Sequence, residues 1–468
     1  MVFRPRRGQE TATDQLTRPE ILLITSSLSM VALLTLRGLS SCLWLDETGT
    51  YWVIKDGLPS LSARSWAWPG ASAVYDLTAW AGSFLRPLVG LEASLRLPSI
   101  ISAVAAGVLL YRIGARLLNR RAALIAVVAM FCTYDVAFAA IDARPYSLGL
   151  ALLLASMYSL IRFLDTPDRR FGMAYVSASA LLVYTHYFLA LGLAAQLVYG
   201  WTNRRKLWMW WSAIGAACFP LTGHFLSLYR MRGEHLFAGT PQLPELLRSC
   251  APPALAAALF LSGIFGRPRD DAPGPIPRAF LLVWALFPPL LLFLVALIAQ
   301  LPVFVPRYLL SVAPAIALLA GWLLSRVTSV GAGCTLLAIA FVCAYGKETA
   351  HHGTDDWRAA SAALNAQTAP GDAILVASGF VEATPADLRR DVLFGPQLAY
   401  PIPGFVRLPR KPVESALPDD FGGERRVFLL CYQSQLKYAD WIGAKRPGYR
   451  ERTAAAFGDL VLTRFDPQ

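Results

Sequence analysis

Apolar residues along this chain gather in stretches separated by short polar or basic joints. They recur at about 21–45, 97–118, 122–141, 147–164, 171–184, 187–201, 207–226, 251–265, 279–299, 308–324 and 331–345. A helix crossing the hydrocarbon core of a bilayer needs about 20 predominantly apolar residues. The pattern therefore predicts about eleven transmembrane helices, of which the fifth, sixth, eighth and eleventh are short. Two regions break it. Residues 44–96 read as a long first outer loop. Within it Val74, Leu77, Ala81, Phe84, Leu85 and Leu88 recur at helical spacing, which describes a helix lying in the membrane interface. Residues 346–468 hold no apolar run longer than a strand. Asp355-Asp356 reads as the cap of a helix over 357–367. Strands are expected at 373–377, 426–432 and 460–465, so this region predicts a small α/β domain. The expected division is a transmembrane domain over 1–345, containing the loop 44–96, and an extracytoplasmic domain over 346–468.

Charge sets the orientation. With the N-terminus inside, the segments 1–20, 112–121, 162–170, 204–206, 267–278 and Arg326 hold 18 basic residues, against nine in the outer segments before residue 346. Inner loops carry the Lys/Arg excess, which places the N-terminus in the cytoplasm and the C-terminal domain outside. The basic start (Arg4, Arg6, Arg7) runs into a long span without a small-residue cleavage site and reads as a retained signal-anchor of a multi-pass protein of the cytoplasmic membrane.

Composition agrees, with 55% hydrophobic and 16% charged residues. The net charge of +12 is spread over loops, and no nucleic-acid-reading motif accompanies it, so nucleic acid is not an expected partner. The seven cysteines form no CxxC and suggest neither a disulfide framework nor a metal site. No P-loop, Rossmann glycine pattern or G-x-S-x-G is present, which argues against a nucleotide-driven pump and a serine hydrolase.

The distinctive polar residues fall at the outer ends of spans. Asp46-Glu47 follows the first, and is either a solvated turn or a general base taking the proton of an attacking hydroxyl. Asp142-Ala143-Arg144-Pro145-Tyr146 joins the third and fourth spans. It is either a hairpin turn, with Asp142 or Asp135 pairing Arg144, or a phosphate grip by the guanidinium fork. Tyr184-Thr185-His186-Tyr187 breaks the fifth from the sixth. His186 is a packed, hydrogen-bonded ring, a phosphate donor, or a ligand beside a carboxylate. Pro306-Arg307-Tyr308 opens the tenth span, snorkelling or contacting phosphate. His351-His352 stands too isolated to indicate a metal. A carboxylate and several cations on one membrane face suggest chemistry on an anionic lipid.

These segments, with Leu95-Arg96-Leu97-Pro98-Ser99, Asn119-Arg120-Arg121-Ala122-Ala123, Pro306-Arg307-Tyr308-Leu309-Leu310 and, weakly, Asp356-Trp357-Arg358, form an ordered set. The set resembles the GT-C class of polytopic glycosyltransferases. Within it the likeness is to the bacterial, family 39-like branch related to dolichyl-phosphate-mannose protein mannosyltransferases and the lipid A aminoarabinose transferase. The resemblance implies a GT-C-like fold and an inverting transfer of a sugar from a polyprenyl-phosphate donor to the hydroxyl of a glycan, lipid or protein acceptor on the outer face. It implies Asp46 and Glu47 as catalytic acids, Arg144, Tyr146, Arg307 and Tyr308 near the donor phosphate, and His186 and Tyr187 near substrate. Many relatives carry His-Pro-Pro-Leu-Tyr-Tyr where this chain has Ala71-Ser72-Ala73-Val74-Tyr75-Asp76. No metal is therefore assigned, although a divalent cation stays open as a cofactor. The alternative is a transporter or flippase of an anionic lipid-linked sugar.

Overall fold

The computed structural model describes residues 16–67, 72–230, 241–250, 278–299, 303–326, 328–348, 352–377, 399–402, 410–413, 425–445 and 447–468, and isolated positions between 256 and 264. The basic N-terminal residues, Trp68, Ala71, His351 and nearly all of the expected span 251–265 lie outside the described residues.

The chain divides into two compact units, residues 1–39 with 96–350, and residues 40–95 with 351–468. The first outer loop thus belongs with the C-terminal residues, and the division runs through one long helix.

In the first unit, α1 (Arg18–Leu36) begins with a capping box at Thr17 and Glu20. It is followed by α6 (Leu91–Leu117), α7 (Arg120–Phe131), α8 (Tyr134–Ala140), α9 (Tyr146–Asp165) and α10 (Arg169–Thr185). Next come α11 (Leu193–Gly200), α12 (Arg204–Cys218), α13 (Thr222–Arg230), α14 (Leu243–Cys250), α15 (Arg278–Ala299), α16 (Ala313–Ser325) and α17 (Val330–Tyr345). Among the described residues five helical segments are long and apolar enough to cross a membrane: 18–40, 91–117, 146–165, 280–299 and 306–325. The pair α7 and α8, expected as one straight span, bends by 76° and makes a sixth if counted together. The bend falls at Cys132-Thr133. Segments 189–200 and 330–345 are shorter apolar helices. The expected span at 207–226 is broken by a 3-10 turn at Phe219–Leu221, where Pro220 removes a helix donor.

The first unit is held by close helix contact. Helix α16 packs on α7, and α17 packs on both α1 and α7. At Gly321 of α16 a Cβ would collide with the Ala122 carbonyl oxygen of α7, so only glycine allows the approach. Trp284, fully buried on α15, donates its indole N–H to the Ser311 carbonyl at 2.7 Å.

Arg96 is fully buried and donates to the carbonyls of Gly38 and Leu39 at 2.9 and 2.8 Å. It thereby satisfies acceptors that the end of the first span leaves open. Ser99, one turn on, donates to the Asp142 carbonyl. The segment 95–99 is therefore a clamp that joins the ends of two spans.

In the second unit, α2 (Leu45–Ile54), α3 (Leu58–Ala67), α4 (Ala73–Ser83) and α5 (Arg86–Val89) follow the first span. Ser72 caps α4 by accepting from the Tyr75 N–H, and Asp76 accepts from Ser65 at 2.8 Å. Leu77, Phe84, Leu85, Leu88 and Val89 are exposed, an apolar stripe of the kind expected at an interface. Residues 351–468 supply α18 (Trp357–Gln367) and α19 (Lys437–Lys445). They also form a five-stranded sheet in the order β2-β1-β3-β5-β4, from β1 (Ala373–Ala377), β2 (Arg410–Pro412), β3 (Val427–Tyr432), β4 (Tyr449–Phe457) and β5 (Leu460–Pro467). Strand β1 runs parallel to β2 and β3, and β5 is antiparallel to β3 and β4. The fully buried apolar runs of β1 and β3 make them the centre of the core.

Gly321→Val should lower the melting temperature of the detergent-solubilised protein, with overpacking costing about 1–3 kcal/mol. A melting curve equal to that of the unmodified chain would contradict the close approach of α7 and α16.

Candidate functional site

Two groups of polar residues collect the candidates, one in each unit. In the first unit Pro145 caps α9 and Tyr146 is its first residue. Arg144 therefore sits in the turn ahead of the helix. The turn is held by Ser99, bonded to the carbonyls of Asp142 and Arg144, and by Ser147, which donates to Ala139 at 2.7 Å. His186 is the C-cap of α10, where Thr185 ends the helix in an extended residue. Pro306–Val312 is a 3-10 turn leading into α16, and it carries Arg307 and Tyr308.

The His186 ring lies 5.1 Å from Tyr146, 5.5 Å from Tyr308 and 6.1 Å from Phe188, and Phe188 stacks on Tyr308 at 4.5 Å. Three separate segments thus converge on one imidazole. It retains some exposed surface yet is closely enclosed by protein, and that enclosure, with the charges of Arg144 and Arg307, pushes its pKa down to about 3. The ring is neutral at physiological pH. Its Nδ1 accepts from the Leu189 N–H at 3.4 Å, which leaves the proton on Nε2 as a donor. Arg144 and Tyr146 are buried, while Arg307 and Tyr308 are half-buried. Asp135 lies in the electrostatic reach of Arg307, and Asp142 is fully buried in the Arg144 turn.

Tyr187 goes elsewhere. Its hydroxyl meets His224 Nδ1 at 2.7 Å, and its ring packs against Phe225 at 6.1 Å. Adjacent residues on an extended backbone point to opposite sides, so Tyr187 is separated from the ring group that His186 joins.

In the second unit Asp46 and Glu47 lie in the first turn of α2, not in a solvated turn after a span, and both are buried. Carboxylates there are favoured by the helix dipole. Glu47 accepts from the Trp44 N–H at 3.3 Å as an end cap, and its other oxygen lies 3.4 Å from His352 Nε2. His352, read from sequence as isolated, is buried against this carboxylate. Gly353 follows with φ +77°, and a Cβ there would stand 2.6 Å from the Trp44 side chain. Glycine is needed at 353 on both counts.

The C-terminal residues carry α2. Asp355 accepts from the Leu45 N–H at 3.1 Å and from the Tyr432 hydroxyl at 2.7 Å. Tyr400 accepts from the Leu43 N–H at 3.0 Å and donates to Glu92 at 2.7 Å, and Glu92 also pairs with Arg358. Arg358 donates to the Ser40 carbonyl at 2.8 Å. Asp356 caps α18 as expected, and Trp357 fills the core. Asp46 acts electrostatically on Tyr432, whose hydroxyl is raised well above its ordinary value by burial first and then by Asp355. Sequence reasoning gave Asp355 only a capping role and left His352 isolated, and it missed Tyr432, Tyr400 and Glu92. For His352 and Asp355 the local signal was the density of polar residues at 351–358.

Residues 77–222 match the family model described as "Dolichyl-phosphate-mannose-protein mannosyltransferase". That stretch contains Arg144, Tyr146, His186 and Tyr187, but neither Asp46 nor Arg307. No curated protein matches the chain in sequence. Among solved structures, ArnT from Cupriavidus metallidurans bound to undecaprenyl phosphate is similar with a TM-score of 0.56 and 15% identity, over 95% of this chain and 97% of that one. Its apo state matches with a TM-score of 0.54 and 13% identity over the same shares. The fold is thus the GT-C-like architecture expected from the ordered motifs.

Asp355 yields a pH prediction. Burial is the main cause that pushes its carboxyl from 3.8 up to about 6, and Asp459 adds to it, while the bonds from Tyr432 and Leu45 pull it back. Between these values the folded chain binds more protons than the unfolded one, so this group's contribution to stability falls as pH rises from about 4 to 6. Asp355→Asn should flatten that part of the pH–melting profile, and an unaltered slope would show that Asp355 titrates normally.

Proposed function

We propose that the protein is a membrane-embedded inverting glycosyltransferase, moving a sugar from a polyprenyl-phosphate donor to an acceptor hydroxyl on the outer face of the cytoplasmic membrane. The observation that carries this reading is the grouping of Arg144 and Arg307, with Tyr146 and Tyr308, around the His186 ring at the Tyr146 end of α9. Two guanidinium groups suit a phosphate through paired charge-assisted bonds, and the His186 Nε2–H adds a neutral donor. The same two cations disfavour a metal ion at His186, so we assign the ring to hydrogen bonding. Tyr146 and Tyr308 flank it and line the phosphate position. The likeness to an ArnT bound to undecaprenyl phosphate supports a lipid-linked donor of this kind.

The two carboxylates of α2 divide the remaining work. Glu47, engaged by the Trp44 N–H and His352, is a positioning residue. Asp46 is the general base. It takes the acceptor proton as the hydroxyl oxygen bonds to the anomeric carbon. The bond from that carbon to the phosphate oxygen breaks on the opposite face, inverting the centre. The electron pair leaves with the phosphate, whose charge Arg144 and Arg307 compensate, and this electrostatic contribution is the larger one. Tyr187, engaged with His224, supports the fold behind His186.

A second reading has one observation in its favour. The 76° break between α7 and α8, with Asp135 beside it, is a form that transporters use to bind cargo. On that reading the protein moves an anionic lipid-linked sugar across the bilayer without cleaving it.

Purified protein in detergent should release polyprenyl phosphate from a synthetic polyprenyl-phosphate sugar when an acceptor is supplied. Binding without sugar release, together with translocation in vesicles, would favour the transporter. Asp46→Asn should reduce turnover by at least about 10²–10⁴-fold, the range of general-base catalysis, with donor binding unchanged. Arg144→Ala should instead raise the donor KM, by roughly tenfold or more for one charge-assisted bond. An unchanged KM in that variant would remove Arg144 from the phosphate.

A further inference from the structure

The far end of α9 carries a second cationic group that the proposed reaction does not use. Arg112 and Arg116 are one helical turn apart on α6, and Arg162 follows Tyr158 by one turn on α9, so each pair shares a face. The guanidinium carbons of Arg112, Arg116 and Arg162 stand 6.0, 5.8 and 5.9 Å from the centre of the Tyr158 ring. Arg162 donates to the Tyr158 hydroxyl at 3.1 Å and lies 4.4 Å over the Phe171 ring. Among the described residues the carboxylate paired in this group is Asp165, 2.9 Å from Arg116.

The charges do not cancel. Three cations face one carboxylate and two helix C-termini, those of α6 and α9, each worth roughly half a negative charge. About one positive charge is left, within a distance that salt does not screen. A monoanion matches that excess. The position favours a lipid source. The cluster lies sixteen residues along α9 from Tyr146, roughly 24 Å at 1.5 Å per residue, which is most of the hydrocarbon thickness. Aromatic rings beside basic side chains at a span end mark the headgroup level, and basic pockets between spans hold anionic headgroups.

We propose that Arg112, Arg116 and Arg162, arranged around Tyr158, form a binding site for the phosphodiester of an anionic membrane lipid, at the end of α9 remote from Arg144. The site stands whether or not the transferase reading holds.

The test uses full-length protein in phosphatidylcholine nanodiscs with and without phosphatidylglycerol, read by melting temperature, and native mass spectrometry for retained lipid. Phosphatidylglycerol should raise the melting temperature, and one molecule should stay bound. Arg112 is exposed, so Arg112→Gln should fold while weakening that retention roughly tenfold, the effect of one charge-assisted bond. Arg112→Lys should keep part of it. Arg169→Gln, an exposed cation on α10 outside the cluster, should change nothing. Equal retention in the unmodified chain and Arg112→Gln would overturn the site. Equal loss in Arg169→Gln would reduce it to diffuse surface charge. Inorganic phosphate stabilising as well as the lipid would make it a soluble-anion site and overturn the lipid assignment.

Discussion

The structure depends first on how polar groups at the ends of apolar helices find partners. Arg96 shows the rule most plainly. A fully buried guanidinium would be costly alone, yet here it answers the carbonyls of Gly38 and Leu39, which the end of the first span leaves without N–H donors. Ser99 and Ser147 do the same for the turn that carries Arg144. The position of the proposed phosphate-binding arginine is thus set by hydrogen bonds from neighbouring helix ends rather than by its own neighbours in sequence.

The same logic gives the C-terminal residues a role. Helix α2 begins with an amide and a carboxylate that meet Asp355 and His352, while Tyr400 and Arg358 bond the Leu43 N–H and the Ser40 carbonyl just ahead of it. These four belong to residues 351–468, which form a sheet with its own apolar core, so α2 is mounted on that core's periphery. The carboxylate proposed as general base would gain from such mounting, because small displacements of a reacting group are costly. It also separates the roles of the paired acids. Glu47 is engaged by capping and by His352, which on the proposed reading leaves proton transfer to Asp46.

Polarity also sorts the two ends of α9. The Tyr146 end gathers aromatic rings, a neutral imidazole and two arginines, whereas the other end gathers three arginines around one tyrosine with a single carboxylate. Both are cationic, but the first is enclosed and built from three distant segments. The second is more exposed and comes from two helices. Enclosure is what converts cations into a selective site, since it removes competing water.

Much was legible in the chain itself. Hydrophobic periodicity located α9, α15 and α16, because a long apolar run has few other solutions. Asp356 before an amphipathic run specified α18, and the apolar runs of β1 and β3 announced core strands. Arg144, His186 and Arg307 stood out because charge is rare in such a sequence. What sequence could not supply was contact across long separations. The bend at Cys132-Thr133 and the shortness of the helix at 189–200 interrupt apolar runs that read as continuous, whereas the break at 219–221 had a local mark in Pro220. His352 looked isolated because its partner lies some three hundred positions away, and Tyr187 looked equivalent to His186 because only the fold sends adjacent side chains to different neighbours. Local composition determined which segments are apolar and which residues could carry charge. Tertiary structure alone decided their partners, because burial and hydrogen bonding are properties of the assembled surroundings.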